Sequence, residues 1–432
     1  MRSDVRWPRV RLDVIVALLA AAGILAPDRA DALRRFVPRD HKTIQIAIDA
    51  ASPGDTIWVA AGVYRGPLVM KKRLVLFGDG GPDSTILDGG DSVRVLHVEG
   101  VRGGALIGFG IRGGKAAAGG GVYLLRDSTF TIEACTFTRN WESAIAAWEC
   151  HGLRVAHCRF EKNLGSAMRW SEVMGFIRGC QFIDNKGSGA GALDLYHSNL
   201  PVAIRDCLFE GNRAETTVGG AIGTDSTKVT FSNCTFVRNT SAVAGGAIAA
   251  MARSFISVSR CEFRENSAAQ AGAIHSDASQ CLIGFSIFDA NRATAGGAAI
   301  GLLGRYDANI NQIVRNNTFY KNGTEGTGAT VFAVKTSPEI QRNIFVVEGE
   351  SQLAVAGLES APTYECNLIH DPAGAAVGAL PTGDTFVGDP LFCDAAAGKF
   401  ELSGLSPALR APCGPIGARG QGCSAFKLQP SR

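Results

Sequence analysis

The residues best suited to chemistry in this 432-residue chain recur at matching places along it. Apolar Leu193, Ile222, Ile248, Ile274 and Ile300 each follow a small Gly/Ala segment, where a strand would turn them inward. Alternation along a strand then sends the next residue outward, giving Arg169, Asp194, Gly223, Ala249 and His275 by repeat position. The residue two further on is exposed as well: Trp148, Ser171, Tyr196, Asp225, Met251 and Asp277. With Trp170 and His197 these make a row of aromatics and carboxylates. Aromatic faces suit the apolar faces of sugar rings, and paired carboxylates suit acid/base cleavage of a glycosidic bond. Asp194 and Asp225 lie one repeat and two residues apart, which strand spacing and rise convert to about 8 Å. That is the separation of an inverting pair. In this chemistry Asp194 and Asp225 are acid and base, Arg169 clamps an anion or hydroxyl, and Trp148 and Tyr196 are stacking platforms. His275 and Asp277 extend the substrate-binding row. The same residues would equally suit a solvated sheet face without activity, and a one-residue change of face would invert the row.

Other constellations are poorer. Phe77-Gly-Asp-Gly-Gly-Pro-Asp83 has calcium-loop ingredients, but Gly, Asp and Pro build ordinary turns too. Gly119-Gly120-Gly121 precedes a strand rather than a helix, so it is no phosphate loop. No C-x-x-C zinc spacing occurs, and no Ser-His-Asp arrangement can be assembled locally around the seven histidines. Neither metal nor cofactor is expected.

The elements that must position the row follow from a repeat. C-x-F-x-x-N reads as CTFTRN from Cys135, CRFEKN from Cys158, CQFIDN from Cys180, CLFEGN from Cys207, CTFVRN from Cys234 and CEFREN from Cys261. Altered copies are SIFDAN from Ser286, NTFYKN from Asn317, NIFVVE from Asn343 and CNLIHD from Cys366. The Phe positions run from 137 to 345 at intervals of 22 to 31 residues, averaging 26. Gly-Gly-Ala-Ile at 219 and 245 marks a second motif in step with the first. Cys and Phe, two apart, share one strand face. Asn three residues later suits a tight turn with left-handed backbone. Three short strands and their turns fill such a coil, and stacked coils repeat every ~4.8 Å. Leucine-rich repeats need a different pattern, and propeller blades need ~40 residues.

On these motifs the chain resembles right-handed parallel β-helix proteins of the pectin-lyase-like superfamily, over roughly residues 42–420. The Gly-Gly-Ala-Ile and F-x-x-N pairing is similar to the passenger repeats of chlamydial polymorphic membrane proteins. The segment IQIAIDAASPGDTIWVAAGVY from Ile44 is similar to the first coil of secreted β-helix repeat proteins. Asp389-Pro390-Leu391-Phe392 with Ser406-Pro407-Ala408 is similar to their closing segment. The resemblance implies an all-β, single right-handed parallel β-helix of about ten to eleven coils, roughly 50 Å long. It implies no single activity, because the superfamily holds lyases, hydrolases, epimerases, adhesins and scaffolds. The paired Asp motifs and Arg-x-Lys of polygalacturonases are not found beside His151-Gly152, nor is the Asp cluster with catalytic Arg of pectate lyases. Nothing after Cys366 is long enough for an autotransporter barrel.

The ends and composition complete the reading. Arg2, Arg6, Arg9 and Arg11 precede the apolar run Val14 to Ala26, and Ala30-Asp31-Ala32 fits a small-x-small cleavage site. Residues 1–32 are therefore expected to be a signal peptide, followed by a β-helix domain over 33–423 and a tail over 424–432. No later run reaches the ~18 apolar residues of a membrane span. Thr43 to Ala51 carries helical spacing and would cap the first coil, protecting an open edge. Gly at 53 residues, charged residues at 19% and a net charge of +3 exclude a disordered chain and argue against a nucleic-acid partner.

Twelve cysteines in an exported chain suggest disulfides. Seven of them (135, 158, 180, 207, 234, 261 and 366) share one repeat position and are expected to form an interior packing ladder. Cys393, Cys413 and Cys423 lie outside it, where a bridge could pin the last coil. Two functions remain in view. One is a secreted or cell-surface scaffold that binds glycans without turnover. The other is a polysaccharide lyase or glycoside hydrolase working through the row.

Overall fold

The computed structural model describes residues 33–304, 310–325, 328–347, 352–372 and 385–424. The expected signal segment 1–32 and all but Ser424 of the expected tail lie outside the described residues. The chain winds into a parallel β-solenoid: one sheet stacks 30 strands and a second stacks 14, each strand bonded to its counterpart one coil away. Fourteen strands in the second sheet exceed the ten or eleven coils expected. The strands without a C-x-F-x-x-N copy are Gly62–Arg65, Thr85–Asp88 and Gly110–Arg112 at the start and Phe386–Val387 at the end.

In the middle coils three corners are each made by a left-handed residue. In one coil these are Glu149 (φ 53°), His157 (φ 50°) and Lys162 (φ 54°). Each is followed by a buried residue, Cys150, Cys158 and Asn163. Left-handed backbone at a non-glycine residue costs on the order of 1 kcal/mol, and the ladders behind the corners offset it. The expectation that Asn itself adopts this conformation is corrected here. The residue before it does so, and Asn points inward to satisfy backbone. Asn163 Nδ2 donates to Phe137 O at 3.1 Å and to Asn185 Oδ1 at 2.9 Å, while its backbone N–H donates to the same Oδ1 at 3.1 Å. Beside this ladder the rings Phe137, Phe160, Phe182, Phe209 and their successors to Phe345 stack at 4.7–4.9 Å. Cys135, Cys158, Cys180, Cys207, Cys234 and Cys261 are free and buried at the third ladder.

Cys366 does not belong to that ladder. Asn343 N–H donates to Asn367 Oδ1 at 3.0 Å, so Asn367 fills the slot and Cys366 (φ 56°) is the corner residue before it. From there it bonds Cys413, and Cys393 bonds Cys423. The terminal segment thus folds back over the second sheet. Leu402, Ala408 and Ile416 pack on Ile344, Val346 and Leu368, and Arg419 reaches Glu262 at 3.0 Å. At the other end helix α1 (Ile44–Ala50) buries Ile44, Ala47 and Ile48. Thr43 caps it, accepting the Ile46 N–H at 3.2 Å.

The strands that carry the predicted row are β1 (Val122–Leu125), β2 (Trp141–Trp148), β3 (Leu164–Ser171), β4 (Leu193–Arg205), β5 (Ile222–Ser232), β6 (Ile248–Met251) and β7 (Ile274–Asp277). Ile145, Met168, Leu193, Ile222, Ile248 and Ile274 are in register and fully buried, which fixes the outward face.

Candidate functional site

Register places Ala146, Arg169, Asp194, Gly223, Ala249 and His275 side by side along the outer face. Two residues on, Leu125, Trp148, Ser171, Tyr196, Asp225 and Met251 form a parallel row, and Asp277 ends β7 at the same position. Asp194 faces Gly223 and Tyr196 faces Asp225. The two carboxylates therefore share a face, one coil and two residues apart.

Exposure varies within the first row. Arg169 and Asp194 are half-buried, whereas the Gly/Ala segment entering β7 folds over its first outward position. A Cβ on Gly301 would lie 3.0 Å from Ala271 Cβ and 3.5 Å from His275 Nδ1. His275 has the outward parity yet is only 4% exposed, and its Nδ1 has no hydrogen-bond partner. Burial pulls its pKa below the usual histidine value, against the pull of Asp277. Alternation gives the face correctly but says nothing of this roof. Trp148, Tyr196, Asp225 and Asp277, two residues on, are half-buried. Ser171, in the same row, is buried at 6% exposure.

Trp170 is a correction. It lies between outward Arg169 and Ser171, so the pleat turns it into the core, where it is 1% exposed between Ala147 and Leu195. Gly175 leaves room for its ring, since a Cβ there would stand 2.7 Å from Trp170 Cζ3. His197, by contrast, is an exposed corner residue (φ 52°), edge-on to Tyr196 at 5.4 Å.

Asp194 is held from three sides. It accepts from Ser166 Oγ at 2.7 Å, from the Ala190 N–H at 2.9 Å, and from Arg169 at 3.5 Å. Asp225 accepts from the neighbouring Ser226 hydroxyl at 2.8 Å. Burial pushes the Tyr196 phenol above its usual pKa, with Arg169 and Asp194 acting in opposite senses.

The sequence reading missed the beginning of the row. Tyr123 precedes Ala146 by one coil, and its ring lies 5.3 Å from Trp148 and 5.1 Å from His97. Arg94 covers Tyr123 at 4.4 Å and donates to Ala118 O and Gly119 O. Tyr123 follows Gly119-Gly120-Gly121-Val122, which has the small-then-apolar pattern of later coils, so the repeat itself held the signal. Together His97, Tyr123, Trp148, Arg169, Asp194, Tyr196 and Asp225 form one oblique band across six consecutive coils.

Among the described residues no group of three or more His, Cys, Asp or Glu side chains is arranged to hold a metal ion. No helix there is long and apolar enough to cross a membrane.

The comparison with curated proteins found no match. Among solved structures, the PL6 family alginate lyase AlyGC is similar at 14% identity and a TM-score of 0.51, over 84% of this chain and 54% of that one. This chain thus spans about half of that lyase. Pectate lyase Pel9A (14% identity, TM-score 0.45, 91% of this chain and 97% of that one) is also similar in fold. So is PfbA, a surface adhesin of Streptococcus pneumoniae (14% identity, TM-score 0.42, 82% and 97%). The family model described as a right handed beta helix region matches residues 111–236 and 219–384. With more than half of its length matched and every coil pairing in parallel, the chain belongs to the right-handed β-helix family.

Proposed function

We propose that this protein is an exported, cell-surface or secreted scaffold whose outer band binds glycans without turning them over. The observation that carries the reading is the pairing of an aromatic run with a committed carboxylate. Tyr123 and Trp148 stand 5.3 Å apart on adjacent coils and are half-buried, which leaves aromatic surface on the outer face for the apolar faces of sugar rings. Asp194 meanwhile accepts from Ser166, Ala190 and Arg169. A carboxylate so engaged orients its neighbours and is poorly placed to give a proton to a leaving group. The basic and apolar segment at 1–32 supports export, as do two disulfides, which persist in oxidising compartments.

The second reading, a lyase or glycoside hydrolase, is favoured by Asp194 and Asp225 sharing one face at the offset of an inverting pair. Affinity electrophoresis through gels containing single neutral or acidic polysaccharides tests the binding reading. Retardation by at least one glycan is expected, with affinity reduced about tenfold or more by Tyr123→Ala or Trp148→Ala. Unretarded migration in every gel would refute it.

A further inference from the structure

A groove of about 480 Å³ opens at another corner of the solenoid, lined by Asp88, Asp91, Arg112, Arg139, Glu161 and Lys162 among others. Its size is within the range of small-ligand sites. Asp88, Arg112 and Glu161 close three strands of the second sheet, Thr85–Asp88, Gly110–Arg112 and Arg159–Glu161. Arg139 and Lys162 are left-handed corner residues of successive coils.

The carboxylates of this groove are already engaged. Asp88 accepts from the Gly90 N–H at 2.8 Å and from Arg112 at 3.1 Å. Burial opposes its charge, but these donors hold it below the usual carboxylate range. Glu161, likewise opposed by burial, is held down by Arg159 and Lys162 at 2.8 and 3.1 Å. Asp91 accepts the indole N–H of Trp141 at 3.1 Å. Among the described residues no carboxylate pairs with Arg139, which is exposed. Trp141 borders the groove through Asp91 and is 38% exposed, with Lys115 over its ring at 5.1 Å. Its polar atom is committed, so apolar ring surface is what it offers a ligand.

We propose that this groove is a second binding site, for a saccharide unit bearing a carboxylate. Arg139 takes the carboxylate as a charge-assisted partner, and the Trp141 ring packs against the apolar face of the sugar. The site is separate from the outer band. Trp141 and Trp148 are the first and last residues of β2, which bends at left-handed Glu142 (φ 63°), so strand rise sets about 23 Å as the upper bound of their separation.

Titration calorimetry with a galacturonic acid trisaccharide and its carboxyl-reduced counterpart tests this, with inorganic sulfate as the anion-only arm. The acidic trisaccharide is expected to bind at least tenfold tighter than the reduced one and tighter than sulfate. Arg139→Gln should remove that tenfold preference, while Trp141→Ala should weaken both saccharides. Trp148→Ala, on the outer band, should leave the tenfold preference for the acidic trisaccharide unchanged, so failure of the two sites can be told apart. Arg139 is exposed, so Arg139→Gln is expected to keep the fold, and that variant decides alone if Trp141→Ala does not fold. Equal affinity for the two trisaccharides, a sulfate affinity matching the acidic one, or an indifferent Arg139→Gln variant would each overturn the proposal.

Discussion

Asp194 reaches back across the coil boundary to Ser166, its carboxylate accepting the Ser166 hydroxyl at 2.7 Å while Ser166 Oγ also contacts Ala190 O at 2.8 Å. The carboxylate thereby ties the turn before β4 to the preceding coil. Gly223 is its neighbour in the next coil, and a Cβ there would meet Asp194 Oδ1 at 3.5 Å, an ordinary contact.

Asp194→Ala should therefore destabilise the protein by about 1–3 kcal/mol, the cost of leaving part-buried donors unmet. Asp194→Asn retains an acceptor and should lose less. Denaturant titration of both variants checks this. Equal and negligible losses would show that the carboxylate is free for other work.

The Asn ladder predicts a larger effect in the core. Asn212 donates to Phe182 O at 2.8 Å and Asn239 Oδ1 at 3.0 Å, and it accepts from the Asn185 backbone and side chain. Asn212→Ala strands several buried polar groups at once and should cost about 3 kcal/mol or more. A chemical-denaturation midpoint within error of wild type would contradict that accounting.

Asp127 sets a pH dependence. It is 2% exposed at the corner between Arg126 and Ser128, accepts the Val101 N–H at 2.6 Å through one oxygen, and leaves the other without a partner. Burial raises its pKa from 3.8 to about 6. The folded state thus favours the protonated acid. That advantage is present below about pH 4 and is lost as pH climbs through about 6. At neutral pH the ionised carboxylate therefore carries the full cost of its burial. Asp127→Asn keeps the acceptor for Val101 and should raise the melting temperature at pH 7.5 with little change at pH 4. Parallel melting profiles for variant and wild type across that window would contradict the assignment.

The cysteines divide cleanly in the structure, with Cys366–Cys413 and Cys393–Cys423 bonded and eight thiols free and buried. Alkylation of the unfolded, unreduced protein should add eight groups, and peptide mapping should recover those two cross-links. Thiols that react in the native state would contradict the buried ladder.

How far the sequence carried this picture depends on the kind of constraint. The Phe and Asn ladders repeat coil after coil from Phe137 to Phe345, so spacing alone exposes them, and the outward parity of Asp194, Tyr196 and Asp225 follows from the pleat. Cys366 misleads because CNLIHD mimics the motif one residue out of step, and only the bond from Asn343 to Asn367 reveals the true register. His275 misleads for a different reason, since a Gly/Ala segment from its own coil roofs an outward position. Tyr123 escapes the motif because its coil lacks the C-x-F signature, though its glycines mark it. Register errors and roofs are tertiary facts that local alternation does not encode.

The most direct test of a binding role without turnover uses the purified mature protein with polyuronides and neutral glycans. Binding, new reducing ends and ultraviolet-absorbing unsaturated products are followed together. The account predicts retention of at least one glycan, no product at any pH tested, and loss of retention in Tyr123→Ala/Trp148→Ala. Product formation that disappears in Asp194→Asn or Asp225→Asn would contradict it and make the outer band an active site.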